Sequence, residues 1–184
     1  MDIISLPWGQ DDIWVHISIS EQILWELWIE LREEYSLSPM EISQIHKVSA
    51  RHACLESNEE KCYRSDAENG MLKLCKWGDL LGYIFAHKWI ADKIEFYERG
   101  SLWVSKEFWG NGLGKYLMFK MTQKLAGENI LSVTSNNIVQ SVNELLMDYE
   151  ILQPEWTLKQ MIEVRWQMKD DYRYFINEKL MRIL

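Results

Sequence analysis

The first third of the chain passes from a two-residue hydrophobic period to a helical one. Isoleucine or valine occupies every second position over residues 13–19, which is typical of a short half-buried strand. From Ser20 the apolar residues are spaced three and four apart, which predicts an amphipathic helix. Its apolar positions are Ile23, Leu24, Leu27, Trp28, Leu31 and Tyr35. The run Ser-Pro-Met-Glu at 38–41 predicts a second helix, fading after about residue 54, because it combines a capping serine, a first-turn proline and a capping-box glutamate.

From Met71 the pattern changes to strands joined by turns, with Gly78-Asp79 as the first turn. The predicted elements from there are strands over 71–77, 80–90, 93–105, 130–134 and 162–168, and helices over 111–126, 136–148 and 172–184. The first three of these strands follow one another along the chain, before the helix over 111–126. Consecutive strands without an intervening helix favour antiparallel pairing over a regular βαβ array. We therefore predict a mixed α/β (α+β) fold, with a mostly antiparallel central sheet flanked by helices and a C-terminal strand plus helix. No repeat or linker divides residues 1–184, so a single domain is expected.

Composition and charge narrow the choice of partners. Hydrophobic residues make up 47% of the chain and charged residues 26%, as in an ordinary globular protein. The ten tryptophans favour core and groove lining over a dedicated aromatic recognition site. The formal net charge is −8 and no Lys/Arg run is present, which argues against a nucleic-acid partner and favours cationic molecules or amines.

The sequence gives no sign of a membrane or metal partner. Residues 1–10 lack the basic start and apolar core of a signal peptide, and no apolar run has transmembrane length, so a cytoplasmic location is expected. The three cysteines form no CxxC pair, and an odd number suits a reducing compartment. A group of cysteines and histidines lies close together in the sequence, but its spacing matches no standard zinc-ligand pattern, and no metal is predicted. They are His46, His52, Cys54 and Cys62.

The stretch 101–118 carries the most specific signal in the chain. A strand ending at Val104 leads through a short loop to Gly110, Gly112 and Gly114, which alternate where a helix begins. Glycines let the backbone turn there, and the first amides of the helix are left to bind an anion such as a diphosphate. The spacing fits neither a Walker loop nor a dinucleotide fingerprint. A glycine-rich turn without a ligand, or a nucleotide-binding protein of another fold, remain the alternatives.

This stretch resembles the signature of the GNAT acetyltransferase superfamily, which is a strand ending in valine followed by [Arg/Gln]-x-x-Gly-x-[Gly/Ala]. Leu102-Trp103-Val104 matches the strand end, and Gly112-Leu113-Gly114 matches the glycines. The element order agrees from about Ile13 to Asp148, most strongly over 71–148, and diverges over 149–184. The resemblance implies acetyl-CoA as co-substrate.

The resemblance also implies a set of binding residues. The backbone of Leu102, Trp103 and Val104 would pair with the pantetheine amides. The loop from Gly110 through Asn111, Gly112, Leu113 and Gly114 to Lys115 would hold the pyrophosphate. Asn137 resembles the family asparagine that contacts the cofactor, and the adjacent Asn136 is an equal claimant.

Two positions depart from the family pattern. Trp109 stands where the family has Arg or Gln, so one side-chain contact to phosphate is expected to be lost, with partial compensation by Lys115. The family often has a tyrosine seven residues after the asparagine, as the acid toward the leaving thiolate. Positions 143 and 144 are Asn and Glu here, and Tyr149 is the nearest candidate acid, with packing as its alternative role.

The amine that attacks a thioester must lose a proton, and Glu98 is the candidate base. By two-residue alternation Glu98, Gly100, Leu102 and Val104 are expected to share one face of the strand, and Gly100 leaves room for substrate. A salt-bridged or solvated glutamate is the alternative, and Glu95 is expected on the opposite face. The predicted function is N-acetyl transfer from acetyl-CoA to a primary amine of a small molecule or protein. The alternative is a GNAT-fold binding or regulatory module without turnover.

Overall fold

The computed structural model describes residues 2–7, 9–33, 40, 70–91, 93–153 and 172–184. The elements below are numbered in chain order within these ranges. The strands are β1 (Asp2–Ser5), β2 (Glu30–Glu33), β3 (Met71–Lys76), β4 (Asp79–Ala91), β5 (Ile94–Val104), β6 (Ile130–Thr134), β7 (Tyr149–Gln153) and β8 (Arg173–Ile176). The helices are α1 (Gln10–Glu26), α2 (Leu113–Lys124), α3 (Asn137–Leu146) and α4 (Glu178–Met181), with a 3₁₀ turn at Lys106–Phe108.

These strands form one eight-stranded sheet in the order β1-β7-β8-β6-β5-β4-β3-β2. Among the described strands every neighbouring pair is antiparallel except β5 and β6. The sheet is therefore mixed and mostly antiparallel, with helices packed on it, as the sequence predicts. Within the described residues, no helix is long and apolar enough to cross a bilayer.

The sheet has two faces with separate cores. We call the side that carries α1, α2 and α3 the helix face; its core joins residues such as Ile17, Leu117 and Phe175. The other side, here the second face, buries Phe96 and Leu131 in one cluster. A further cluster on the second face contains Met71, Cys75, Leu80, Tyr83 and Phe85, with Trp103 packed against it. Burying each large apolar side chain stabilises the fold by about 1.5–3 kcal/mol, and the two cores fix which side of each strand a side chain occupies.

The N-terminal predictions were wrong in their element type. Residues 13–19 lie inside α1, because Ile13 and Ile17 are four apart and are both buried on the helix face. The helix ends at Glu26 rather than near residue 35. A Schellman motif with Trp28 at φ 57° ends it, with Ile29 N–H donating to the Leu24 carbonyl at 2.8 Å. The predicted helix from Ser38 and the residues considered for zinc lie outside the described part of the chain.

The predictions from Met71 to residue 148 agree with the structure in type and order, and the strand over 130–134 agrees in both bounds. The C-terminal prediction was wrong. Tyr149–Gln153 forms β7 and Arg173–Ile176 forms β8, so the chain ends in two paired strands and a short helix rather than in a strand plus a long helix. Strand β8 is buried on both faces, so it shows no two-residue alternation. The strand predicted over 162–168 lies outside the described residues.

Candidate active site

The parallel strands β5 and β6 separate after two residue pairs. Tyr97 pairs with Ile130 and Glu98 with Leu131. β5 then continues to Val104 and β6 to Thr134 without further pairing between them. A cleft therefore opens between the two strands, closed at the level of Glu98 and wide at their C-terminal ends. A main-chain edge of this kind can accept an extended ligand as an added strand.

A β-bulge changes the direction of β5 within the cleft. Tyr83 of β4 lies opposite Trp103 and Phe85 lies opposite Gly100, so Ser101 and Leu102 together oppose a single residue. Ser101 has a φ of 51°. A bulge shifts side-chain alternation by one residue. Leu102 and Val104 accordingly pack into the helix-face core, while Trp103 packs on the second face.

The loop after β5 leads its backbone amides toward the wide end of the cleft. Gly110 and Gly112 have φ values of 84° and 73°, which favour glycine. Gly112 caps α2, and no side chain caps this helix end. The first amides of α2 thus lack intrahelical acceptors and form an anion-binding position at the positive end of the helix. Gly114 allows α2 to approach β5, because a Cβ there would already lie 3.6 Å from Leu102 Cδ2.

The side chains around the loop brace it. The Trp109 indole is 61% exposed and its Nε1 donates to the Val104 carbonyl at 2.8 Å, so Trp109 holds the loop to the end of β5. Asn111 Nδ2 donates to the Phe108 carbonyl at 3.3 Å. Lys115 is half-buried, and partial desolvation lowers its pKa while the negative charge of Asp12 opposes the shift.

The two asparagines before α3 have different environments. Asn136 is the N-cap: its Oδ1 accepts from Ile138 N–H at 2.9 Å and Val139 N–H at 3.1 Å. Asn137 begins the helix and its side chain is exposed. Asn136 therefore uses its side-chain oxygen as a cap, whereas the Asn137 side chain makes no such contact to the helix end.

Glu98 lies at the closed end of the cleft on the second face. Its side chain is buried, with 2% of its surface exposed, and its Oε2 accepts from Trp89 Nε1 at 3.0 Å. It lies opposite His87 of β4. A Cβ on Gly100 would be 3.7 Å from Glu98 Oε1, so Gly100 does leave space beside the carboxylate. The expectation that Leu102 and Val104 share this face was wrong, because the bulge at Ser101 moves both to the helix face.

The other candidate base, Glu95, and the candidate acid, Tyr149, lie outside the cleft. Glu95 is exposed and forms an ion pair with Lys88, and it is on the opposite face from Glu98, as expected. Tyr149 lies on β7, and β8 separates its strand from β6. The Tyr149 ring packs against the second-face cluster of Phe96 and Leu131, a placement that favours the packing role.

Sequence reasoning missed a buried polar network on the helix face. The Arg99 guanidinium donates to Thr122 Oγ1 of α2 and to Asn143 Oδ1 of α3. Asn143 Nδ2 in turn donates to Ser132 Oγ of β6 at 3.0 Å. Complete burial lowers the pKa of Arg99 to about 9. A signal was present in the sequence, since Asn143 is, with Glu144, one of the two positions where the family's tyrosine would be expected.

One groove, between α1, α2 and α3, does not coincide with the cleft. It has a volume of about 220 Å³ and lies toward the C-terminal ends of α2 and α3, lined by residues such as Trp14, Phe119 and Leu146. Among the residues that the structure describes, no group of three or more His, Cys, Asp and Glu side chains could hold a metal ion.

The fold and the glycine loop define a class of acyltransferase, and comparison with known families agrees. Residues 23–144 match the acetyltransferase (GNAT) family, and the chain belongs to this family. No curated protein has a matching sequence.

Solved structures of several acetyltransferases share the fold at low sequence identity. N-acetylglutamate synthase from Neisseria gonorrhoeae, complexed with coenzyme A and N-acetyl-glutamate, is 14% identical with a TM-score of 0.59; the match covers 81% of this chain and 34% of the synthase. The chain thus spans about a third of that protein. Arabidopsis thaliana Naa50 in complex with the bisubstrate analogue CoA-Ac-MVNAL is 10% identical with a TM-score of 0.53, covering 80% and 96%. Ard1 from Thermoplasma volcanium is 11% identical with a TM-score of 0.54, covering 80% and 94%.

Proposed function

We propose that this protein is an N-acetyltransferase that transfers the acetyl group of acetyl-CoA to a primary amine. The observation that carries the proposal is the cleft between β5 and β6, which opens onto the uncapped N-terminus of α2. A diphosphate at the helix end and an extended arm along β5 fit this combination. A dinucleotide in an open doubly wound sheet would need a different strand arrangement.

Successive parts of the cleft would bind successive parts of acetyl-CoA. The amides from Gly110 to Lys115 would bind the pyrophosphate, and the main chain of Leu102 and Trp103 would bind the pantetheine arm. The Val104 carbonyl already accepts the Trp109 indole N–H, so it contributes less to that pairing than the sequence suggests. Asn137 would contact the same ligand from α3. The thioester would then lie toward the closed end of the cleft, near Glu98.

Glu98 is suited to accept the proton that the amine loses. The carboxylate is buried, which strengthens its interaction with a nearby ammonium group, and Trp89 orients one of its oxygens. A Cβ on Gly100 would already lie 3.7 Å from Oε1, so a glycine at this position keeps side-chain atoms away from the carboxylate. The solved relatives include complexes with an acetylated amino acid and with a peptide-based analogue, so both small amines and protein N-termini belong in an acceptor panel. The net charge of −8 makes cationic amines the first to test.

A thermal-shift panel tests the ligand class directly. Acetyl-CoA and CoA at about 100 times their Kd should stabilise the folded protein by about 2.7 kcal/mol, because a ligand that binds only the native state shifts unfolding by mass action. Longer acyl-CoAs, NAD and ATP complete the panel. Stabilisation by NAD or ATP without any by CoA would show that the proposed function is wrong.

A second candidate function is acyl-CoA binding without turnover. It is favoured by one observation: neither position seven residues after the two asparagines holds the family's tyrosine, and Asn143, at one of them, is fully buried in the Arg99 network. Tight CoA binding with no transfer to any amine or protein acceptor, measured as thiol release above background hydrolysis, would support this reading.

Replacing Trp109 tests whether a side chain at this position helps to bind phosphate. We expect Trp109→Arg to leave CoA affinity unchanged or to improve it by up to about 100-fold, since a charge-assisted hydrogen bond to phosphate contributes about 1.5–3 kcal/mol. Trp109→Phe is the matched control, because it keeps an aromatic ring and removes only the N–H that donates to Val104. Isothermal titration with CoA measures both. A large loss of affinity in Trp109→Arg at an unchanged Tm would show instead that the indole itself contacts the ligand.

A further inference from the structure

Arg99 lies at the point where the cleft closes. It follows Glu98, the last residue of β5 that pairs with β6, and Ser132 follows Leu131, the last residue of β6 that pairs with β5. The chain of contacts from Arg99 through Asn143 to Ser132 therefore bridges the two strands just where they begin to separate. Because alternate strand residues point to opposite faces, Glu98 and Arg99 approach this point from opposite sides of the sheet.

The described residues around the guanidinium carry no negative charge. Facing Arg99 from the neighbouring elements are Ala86, Thr122, Ser132 and Asn143, and none of them is ionisable near neutral pH. Within the described residues, no carboxylate lies within ion-pair distance of Arg99, and burial alone lowers its pKa. A buried cation with only neutral partners is costly, and a buried anion beside it offsets part of that cost. The site is therefore arranged to favour an anion that the protein itself does not supply.

We propose that Arg99, held by Asn143 and Thr122, is a catalytic residue that stabilises the thiolate released from acetyl-CoA. The inference rests on the proposed function, because it needs the thioester at the closed end of the cleft. In the reaction, the amine lone pair forms a bond to the thioester carbonyl carbon, and the C–S bond breaks with its electron pair leaving on sulfur. Glu98 accepts the proton that nitrogen loses. The thiolate develops beside the Arg99 guanidinium and is protonated afterwards by Glu98, directly or through a water, which regenerates the carboxylate.

This assignment accounts for the missing tyrosine. The family pattern has a phenol, seven residues after its asparagine, that gives the leaving sulfur a proton. Counted from Asn136, that position is Asn143, an amide that anchors a cation. A preorganised charge in a dry site lowers the barrier because it interacts more strongly with the transition state than with the neutral thioester. Electrostatic stabilisation by Arg99 thus replaces the proton donation that the family's phenol would supply.

The test compares the binding of CoA with that of desulfo-CoA, which lacks the thiol, between pH 6 and pH 8.5. An ordinary thiol has a pKa near 8.5, and if Arg99 stabilises the bound thiolate by one to two pKa units, CoA should gain roughly tenfold in affinity over desulfo-CoA across this range. Desulfo-CoA cancels the titration of the phosphates. The upper pH keeps Arg99 charged, since its pKa is about 9. Titration calorimetry measures the two affinities without any acceptor or turnover.

Two variants of the network show whether the effect belongs to Arg99. Arg99→Met should abolish the pH-dependent preference for CoA, and Asn143→Asp should do the same, because it places an isosteric carboxylate against the guanidinium. Asn143→Asp keeps the shape of the network and supplies the missing anion, so it should fold even if Arg99→Met does not. It should also lower kcat by about 10²-fold, as the loss of one transition-state donor does. Lys88→Met, which removes a cation paired with Glu95, is the control and should change neither readout.

The outcomes separate this inference from the proposed function. Failure of both CoA and desulfo-CoA to bind the wild-type protein would overturn the proposed function and the inference with it. Equal pH dependence for the two ligands in the wild-type protein would overturn the role of Arg99 alone. A CoA preference that persists in Asn143→Asp at an unchanged Tm would also overturn it.

Discussion

Glu98→Gln is expected to lower kcat by roughly 10²–10⁴ while acetyl-CoA affinity changes little, since general-base catalysis contributes a factor of that size. The amide is isosteric, and its oxygen still accepts the Trp89 N–H that now binds Oε2 at 3.0 Å. The buried packing is therefore kept and only the ability to accept a proton is lost. The wild-type rate should rise with pH as the acceptor amine deprotonates. The variant should recover part of its activity at high pH, where the free amine needs no base. A thiol-release assay across an amine panel measures these rates.

Glu95→Gln is the matched control for this prediction. Glu95 lies on the same strand, is exposed on the opposite face and is paired with Lys88. Its replacement should leave kcat unchanged, because a surface ion pair contributes little to stability and Glu95 is remote from the cleft. Undiminished turnover in Glu98→Gln would remove Glu98 from the mechanism.

The central part of the fold could be predicted because its signals are local. Backbone dihedrals fix the boundaries at the Gly78 turn and at the glycines from 110 to 114. Side-chain capping fixes the helix boundary at Asn136. Strand Ile130–Thr134 is short and bounded by polar residues, and it was predicted in full. The family signature falls within this locally determined region, so the class of protein could also be predicted.

The errors arise where one pattern suits two structures. Ile13 and Ile17 satisfy both an alternating strand and a helix face, and packing against α2 and α3 decides for the helix. Tyr174, Phe175 and Ile176 are consecutive buried residues on both sides of β8, so neither period is visible. The bulge at Ser101 has no sequence signal, since serine at φ 51° is unusual, and it reverses which face Leu102 and Val104 occupy.

The buried network around Arg99 could not be predicted from local sequence patterns, for a different reason. Arg99 and Asn143 are 44 residues apart, and their contact exists only because β5, α2 and α3 pack together. An arginine between two strand residues normally indicates a solvated edge. Tertiary structure instead buries it completely at the closed end of the cleft.

Gly112→Ala is expected to weaken CoA binding by about 10²-fold or more. Gly112 has a φ of 73°, and an alanine there costs about 1–2 kcal/mol in strain. Its Cβ would also lie 3.2 Å from Ser20 Oγ of α1, which is itself buried. The backbone should therefore rotate away from the left-handed region, which turns the first amides of α2 off the pyrophosphate. Each charge-assisted hydrogen bond lost removes about 1.5–3 kcal/mol, or roughly 10- to 100-fold in affinity.

Gly78→Ala separates this loss of binding from a loss of stability. Gly78 has a φ of 91° in the β3–β4 turn, and a Cβ there would meet nothing within 4 Å. The two variants should therefore lose a similar amount of stability from the positive φ, measured as a lowered Tm, while only Gly112→Ala loses CoA affinity by calorimetry. Gly114→Ala adds a second comparison, because its Cβ would make only ordinary contacts of 3.6 and 3.8 Å with Leu102 and Val104. It should bind CoA within a few fold of wild type, whereas a bulky residue at 114 would push α2 off β5 and abolish binding. Wild-type CoA affinity in Gly112→Ala would show that the amides at the start of α2 do not hold the pyrophosphate.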